Sequence, residues 1–181
     1  SFKNEAMERG HDLEPFARKY ISRYANVEFL ETGWLQCEEN KLLGISPDGL
    51  TEDEITACEI KCLSRKAHTN LLITKKIDKE KLCQIIHYFT VNPKLKKLYF
   101  IAFRPESIKP FIQEFTRESK IDLGFTIEKE IEQIGKLGKP IKPKIVKEPD
   151  LKTITQWVEI AKTEAKKIEI KIEEIINNLN F

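Results

Sequence analysis

Leu43–Leu63 reads LGISPDGLTEDEITACEIKCL, and this stretch decides the fold. Its last nine residues, Ile55–Leu63, have the length and apolar content of a strand. Side chains alternate across a strand, so Ala57, Glu59, Lys61 and Leu63 share one face, and Cys58, Ile60 and Cys62 share the other. The second face suits a core. The first places a carboxylate and an ammonium two residues apart in an apolar strand, where a charge without a partner is costly. Either the pair neutralises itself or lies on an open sheet face, or the charges serve a site. Asp48 favours the site. It follows Ser46-Pro47, precedes Gly49 and ends the preceding strand, Leu42–Ser46. The acidic segment Leu50–Glu54 reads as the turn that brings Glu59 back beside Asp48. Two carboxylates converging next to a lysine suit a hard divalent cation, which takes carboxylate oxygens, waters and phosphate oxygens. Such a cation activates water and stabilises in-line displacement at phosphorus, while the lysine orients the attacking water or counters phosphate charge.

The elements outside this window make a mixed α/β layout. Leu13, Phe16, Ala17, Tyr20, Ile21 and Tyr24 form one apolar helical face. Pro15 sits either in the first turn of a helix starting near Glu14, or inside one that starts near Asn4. Val27–Leu30 and Gly33–Cys37 read as a strand interrupted at Thr32-Gly33. Lys79–Thr90 reads as a helix with Leu82, Cys83, Ile86 and Phe89 on one side. Leu98–Phe103 is a continuous apolar run expected of a buried strand, and Phe111–Phe115 alternates as another. Phe125–Leu137 reads as a helix, Gly138–Asp150 as a linker with three prolines, and Lys152–Asn180 as a long final helix. Early strands follow one another without helices, which excludes a strictly alternating, doubly wound sheet.

Composition narrows the class. The 181 residues include 33% charged and 40% hydrophobic side chains, a globular profile rather than a disordered one. The longest apolar run, Leu98–Phe103, is far short of the roughly 20 residues that cross a bilayer. Cys37, Cys58, Cys62 and Cys83 form no CxxC pair, and a chain so rich in Lys and Glu points to a reducing compartment. Cys58 and Cys62 read as small buried side chains rather than metal ligands, because no second Cys/His pair is nearby. His11, His68 and His87 form no ligand pair. The net charge of +2 gives no global attraction to nucleic acid.

Pro47-Asp48 followed by Glu59-Ile60-Lys61 matches the PD-(D/E)xK nuclease pattern, which by itself is short and arises by chance. Three further segments agree with it in order. Arg9–Arg18 (RGHDLEPFAR) resembles the RGxxxE(P)xAR helix of the lambda-exonuclease, or YqaJ-type viral recombinase, family. Leu43–Leu50 resembles that family's SPDGL segment, and Glu59–Cys62 its E(L/I)KC strand. Leu82-Cys83-Gln84 with Ile85–Val91 resembles its later glutamine helix. The resemblance covers roughly Arg9–Phe103. It implies a restriction-endonuclease-like core, with a central mixed β-sheet flanked by helices and a long C-terminal helix. It also implies roles. Asp48, Glu59 and the carbonyl of Ile60 would hold the metal, with Glu14 reaching in from its helix. Lys61 would position or activate water, and Gln84 would hold the water, Lys61 or a phosphate. Taken alone, Glu14 reads equally as an acid favoured at a helix start, and Gln84 as an exposed helix residue. His87 and Tyr88 share the Gln84 side of the helix and are candidates for touching DNA. The family's helical section ahead of the RGxxxE helix, which helps bind the DNA end, has no counterpart in a sequence that opens at Ser1 without Met. An N-terminal part is therefore expected to be missing.

Charge is unevenly distributed. Ser46–Glu59 holds Asp48, Glu52, Asp53, Glu54 and Glu59 and no base. Lys61–Lys76 holds Lys61, Arg65, Lys66, Lys75 and Lys76 and no acid, and Asn92–Arg104 adds four more bases. Carboxylates for a cation beside bases for phosphates suit a metal nuclease. Arg65 and Lys66, directly after the site, are the candidates for phosphate contact. In the last helix Ile154, Val158, Ala161, Ala165, Ile168, Ile172, Ile175 and Leu179 recur at alternating spacings of four and three, a heptad seam. At about 1.5 Å per residue this helix runs roughly 40 Å. It either pairs with a partner or subunit or packs along its own domain.

The expectation is a nuclease core over residues 1–137, a linker over 138–151 and a heptad-patterned helix over 152–181. The expected activity is Mg²⁺-dependent hydrolysis of DNA, with Mn²⁺ also accepted and two ions bound. Family resemblance implies 5′-to-3′ digestion of double-stranded DNA in phage-type recombination. It further implies a homotrimer, a single-strand annealing protein as partner, and a cytoplasmic location in a bacterial cell. Competing readings are a repair or restriction endonuclease and a non-catalytic DNA-binding module that keeps the fold. The intact Asp48, Glu59 and Lys61 argue against the last.

Overall fold

The computed structural model describes residues 5–107, 109–135 and 138–179. In chain order the elements are α1 (Glu5–Ala25), β1 (Leu35–Gln36), β2 (Gly44–Ile45), β3 (Gly49–Leu50), β4 (Thr56–Lys61), α2 (Arg65–Thr74), α3 (Lys79–Val91), β5 (Lys97–Ala102), β6 (Phe111–Thr116), β7 (Lys120–Ile134), β8 (Pro140–Thr153) and α4 (Ile154–Leu179). The central sheet has the order β3-β4-β5-β6. Its outer pairs are antiparallel and β4/β5 is parallel, with Lys61 opposite Ala102. The parallel pair requires a long crossover, which α2 and α3 supply. This is the mixed sheet with flanking helices expected from the sequence.

Both faces of β4 are covered. Cys58 and Ile60 join Ala17 and Ile21 of α1 with Tyr99 and Ile101 of β5. Ala57 joins Leu98 and Phe100 of β5 with Ile85, Ile86 and Phe89 of α3, and with Ile154 and Val158 of α4. Glu59 lies on this second face, which is packed rather than open. Small side chains at Ala57 and Cys58 leave room for the covering helices. The cysteines are unbridged, with Cys37 and Cys58 in the core, and burial pushes the Cys58 thiol far up, as suits an inert core residue.

Local chemistry sets the helix ends. Ser64 caps α2 by accepting from the N–H of Ala67 at 3.3 Å, and Lys75 closes it in a left-handed conformation. Asp78 caps α3 through the N–H of Lys81 at 3.1 Å. Buried His68 bridges its Nε2 to the Ala102 carbonyl at 3.1 Å and ties α2 to the end of β5. Pro15 lies inside α1, so of the two sequence-based placements the helix that begins upstream is the one formed.

Three expectations are corrected. Phe125–Leu137 is not a helix: its described residues to Ile134 belong to β7. Gly138–Asp150 is not a linker: from Pro140 it is β8, antiparallel to β7. A two-stranded ribbon has only edge strands, which tolerate proline. Pro143 falls where the register slips between Ile131 and Gln133, and Gly124, at φ 78°, falls in the other slip. The third correction is α2, where the sequence suggested only a basic window. The heptad seam of α4 also divides. Ile154, Val158 and Ala165 are buried, whereas Ile168, Ile172 and Ile175 are exposed.

Candidate active site

The β3–β4 hairpin and helix α3 bring the charged residues together. Asp48 stands just before β3, and its Oδ2 accepts the N–H of Ile60 at 2.7 Å. This bond replaces the ladder that β3 would otherwise extend past Gly49. The N–H and C=O of one strand residue point to the same edge, so the Ile60 carbonyl opens beside Asp48. Glu59, one position back, is only 1% exposed. Its Oε2 accepts the Tyr88 hydroxyl from α3. Its Oε1 is ion-paired with Lys61 Nζ yet lacks a well-directed hydrogen bond. The pairing is therefore electrostatic contact rather than full satisfaction of a buried oxygen.

The electrostatics follow from this crowding. Burial, then the Glu59 charge, push the Asp48 carboxyl up from 3.8 to about 7, against the Ile60 N–H and the Lys61 ammonium. Burial works against the Lys61 ammonium, but Glu59 and Asp48 outweigh it and hold its pKa above the ordinary value. Burial and the same two carboxylates push the Tyr88 phenol well up, so it stays a donor. One ammonium thus faces two carboxylates in a partly dry setting. That deficit of positive charge, with an under-satisfied buried Glu59 oxygen and an open carbonyl, fits a hard divalent cation. Among the described residues no three His, Cys, Asp or Glu side chains form a ready cluster. The donors on offer are Asp48, Glu59 and the Ile60 carbonyl, with waters to complete the shell.

The other expected residues are placed as follows. Glu14 is half-buried on α1, and its Oε1 accepts Arg18 Nη2 at 2.6 Å. Arg18 also donates through Nε to the Asp48 carbonyl and reaches Glu31 Oε2 at 3.3 Å. Gln84 is half-buried on α3, one turn before Tyr88, on the side that meets Glu59. His87 bridges its Nε2 to the Gly44 carbonyl at 2.9 Å and ties α3 to β2. Arg65 and Lys66 are exposed in the first turn of α2. Of the bases in Asn92–Arg104, Lys94 is paired with Glu54, Lys97 with Glu114 and Arg104 with Glu106.

Sequence reasoning missed what two residues do in the site. Arg18 fixes Asp48 by its backbone and Glu14 by its side chain, and its spacing of four from Glu14 is the signal. Tyr88, in the sequence a candidate for DNA contact, instead donates to Glu59, and its spacing of four from Gln84 is the signal.

Residues 1–94 match the family described as the YqaJ-like viral recombinase domain. Among solved structures, the chain is similar to LHK-Exo, an alkaline exonuclease from Laribacter hongkongensis. Against its complex with dAMP the TM-score is 0.58 at 26% identity, covering 65% of this chain and 60% of that one. Against the second crystal structure the TM-score is 0.57 at 27% identity, covering 63% and 59%. The chain thus spans about 60% of the length of the structures it matches. No curated protein matches it.

Proposed function

Since the chain belongs to the YqaJ-like viral recombinase family, we propose that it is a divalent-metal-dependent deoxyribonuclease that digests double-stranded DNA from an end, 5′ to 3′. The observation that carries this reading is buried Glu59, shared between Tyr88 and Lys61 beside an Asp48 whose carboxyl is pushed up to about 7. The similarity to an alkaline exonuclease supports the same reaction class.

Asp48, Glu59 and the Ile60 carbonyl would hold Mg²⁺ or Mn²⁺, with Glu14 and Gln84 next to them. A bound cation supplies Lewis acidity toward a phosphodiester oxygen and lowers the pKa of water. Lys61 presents a protonated ammonium at the rim, where it orients the nucleophilic water and counters charge developing on phosphate. Tyr88 holds Glu59 in one orientation. Arg18 holds the backbone at Asp48. Arg65 and Lys66, exposed just beyond the site, would take neighbouring phosphates. In this reading the protein acts in phage-type recombination within a bacterial cytoplasm. It would do so as a ring of copies, alongside a single-strand annealing protein. A time course with Mg²⁺ on linear duplex labelled at the 5′ or the 3′ end, beside a covalently closed circle, tests the assignment. Early release of the 5′ label with an intact circle is expected. Nicking of the circle would instead mark an endonuclease.

A further inference from the structure

Helix α1 has a second flank that the acidic site does not use. Ala17 and Ile21 face the sheet and are fully buried. Glu14 and Arg18 flank that stripe on one side and serve the site. On the other side Phe16, Tyr20 and Tyr24 recur every four residues, a ladder of rings about 6 Å apart along the helix. Phe16 is 66% exposed and Tyr24 62%. Lys19 and Arg23 stand between the rings, and with Phe103 these side chains wall a groove of about 620 Å³. A second hollow, walled in part by the same Tyr20 and Tyr24, continues past Lys75 and Lys109. Among the described residues no carboxylate lines either part, although the chain carries 29 acidic residues against 31 basic ones.

The groove begins beside the site. Phe103 N–H donates to the Lys61 carbonyl at 2.9 Å, and its ring leans on Tyr20 with centroids 6.1 Å apart. The middle ring is therefore braced beside the strand next to Lys61, Tyr24 leans edge-on against Tyr99 of that strand with centroids 6.3 Å apart, and Phe16 extends the platform outward. Large exposed rings interleaved with cations and lacking acids are the elements of a stacking track. Every base offers a π-face, and phosphates find the cations between the rings. A duplex hides its base faces, so the rings select a strand that is already single.

We propose that this groove binds single-stranded DNA, with bases stacked on Phe16, Tyr20 and Tyr24 and phosphates held by Lys19 and Arg23. Identifying that strand as the one left uncut beside Lys61 rests on the nuclease reading; the binding itself does not.

The test is fluorescence anisotropy of an oligo-dT of about 15 nucleotides in EDTA, where no hydrolysis occurs. Wild-type protein should bind, and the Phe16→Ala/Tyr24→Ala protein should bind at least about tenfold more weakly. Lys19→Ala/Arg23→Ala should flatten the slope of log affinity against log salt by about 1.4. Both pairs are exposed, so the fold should persist, which circular dichroism checks. Unchanged oligo-dT affinity in the aromatic variant overturns the proposal. It is equally overturned if sedimentation shows that variant losing an oligomer while oligo-dT affinity stays the same, since the flank is then a contact between copies. Binding in EDTA by a protein that cleaves nothing in Mg²⁺ supports the groove and overturns the nuclease reading alone.

Discussion

Tyr88 donates its phenolic hydrogen to Oε2 of Glu59, reaching from α3 to a carboxylate in the middle of the central sheet. Replacing Tyr88 by Phe keeps the packing and removes only this donor. A buried oxygen that loses its partner costs about 1–3 kcal/mol, and a metal ligand that loses its outer hydrogen bond binds its ion about 10–100-fold more weakly. The Tyr88→Phe protein should therefore unfold at lower urea in EDTA and titrate with Mn²⁺ more weakly. Identical curves in both experiments would show that the bond positions nothing.

The Asp48 carboxyl gives the metal-free protein a pH dependence. Its folded-state value of about 7 lies above the ordinary 3.8, so the folded chain binds this proton more tightly than the unfolded chain does. The associated stability is complete below about pH 4 and is lost as pH rises through about 7. In EDTA the melting temperature of wild type should fall across that window relative to Asp48→Asn, which has no such proton. Cation binding competes with the same proton, so Mg²⁺ affinity should rise from pH 6 to pH 8 in wild type. Parallel melting profiles for the two proteins would contradict the assignment.

Gly49 follows Asp48 and has no room for a side chain. A Cβ there would lie 2.7 Å from Cys58 Sγ and 3.0 Å from Phe29 Cβ, both in the core. A Cβ at Gly44 would also meet an atom, of the Trp34 ring, but that ring is exposed and can swing away. Gly49→Ala should cost about 1–3 kcal/mol through overpacking and lower nuclease activity by shifting Asp48. Gly44→Ala should change neither stability nor activity appreciably. Urea denaturation and an initial-rate assay on both variants distinguish the two sites.

These residues also show how far sequence reading reached. Alternation along Ile55–Leu63 places Glu59 and Lys61 on one face, because a strand's period of two admits a single solution, and the turn at Leu50–Glu54 brings Asp48 beside them. The family resemblance was legible for the same reason, its motifs falling on elements with rigid spacing. What escaped was tertiary. Alternation could not say that α3 covers the Glu59 face, so neither the burial of Glu59 nor its bond to Tyr88 was visible. Ile127, Ile131 and Ile134 follow helical spacing and sit among Glu and Lys, so β7 read as a helix. Pro140, Pro143 and Pro149 read as a linker because proline is barred from central strands but not from the edges of a two-stranded ribbon. Helix α2 was hidden by its bases and has no acidic first turn to announce it.

In the proposed chemistry the carboxylates and lysine of the β3–β4 hairpin hydrolyse DNA with a divalent cation. The most direct measurement is the initial rate on linear duplex in Mg²⁺ for wild type and Lys61→Ala, with and without EDTA. Mn²⁺ titration of both proteins should accompany it. The account predicts hydrolysis by wild type that EDTA abolishes and that Lys61→Ala lowers at least about a hundredfold, with Mn²⁺ still bound by the variant. Digestion by Lys61→Ala at the wild-type rate, or wild-type digestion that persists in EDTA, would contradict it.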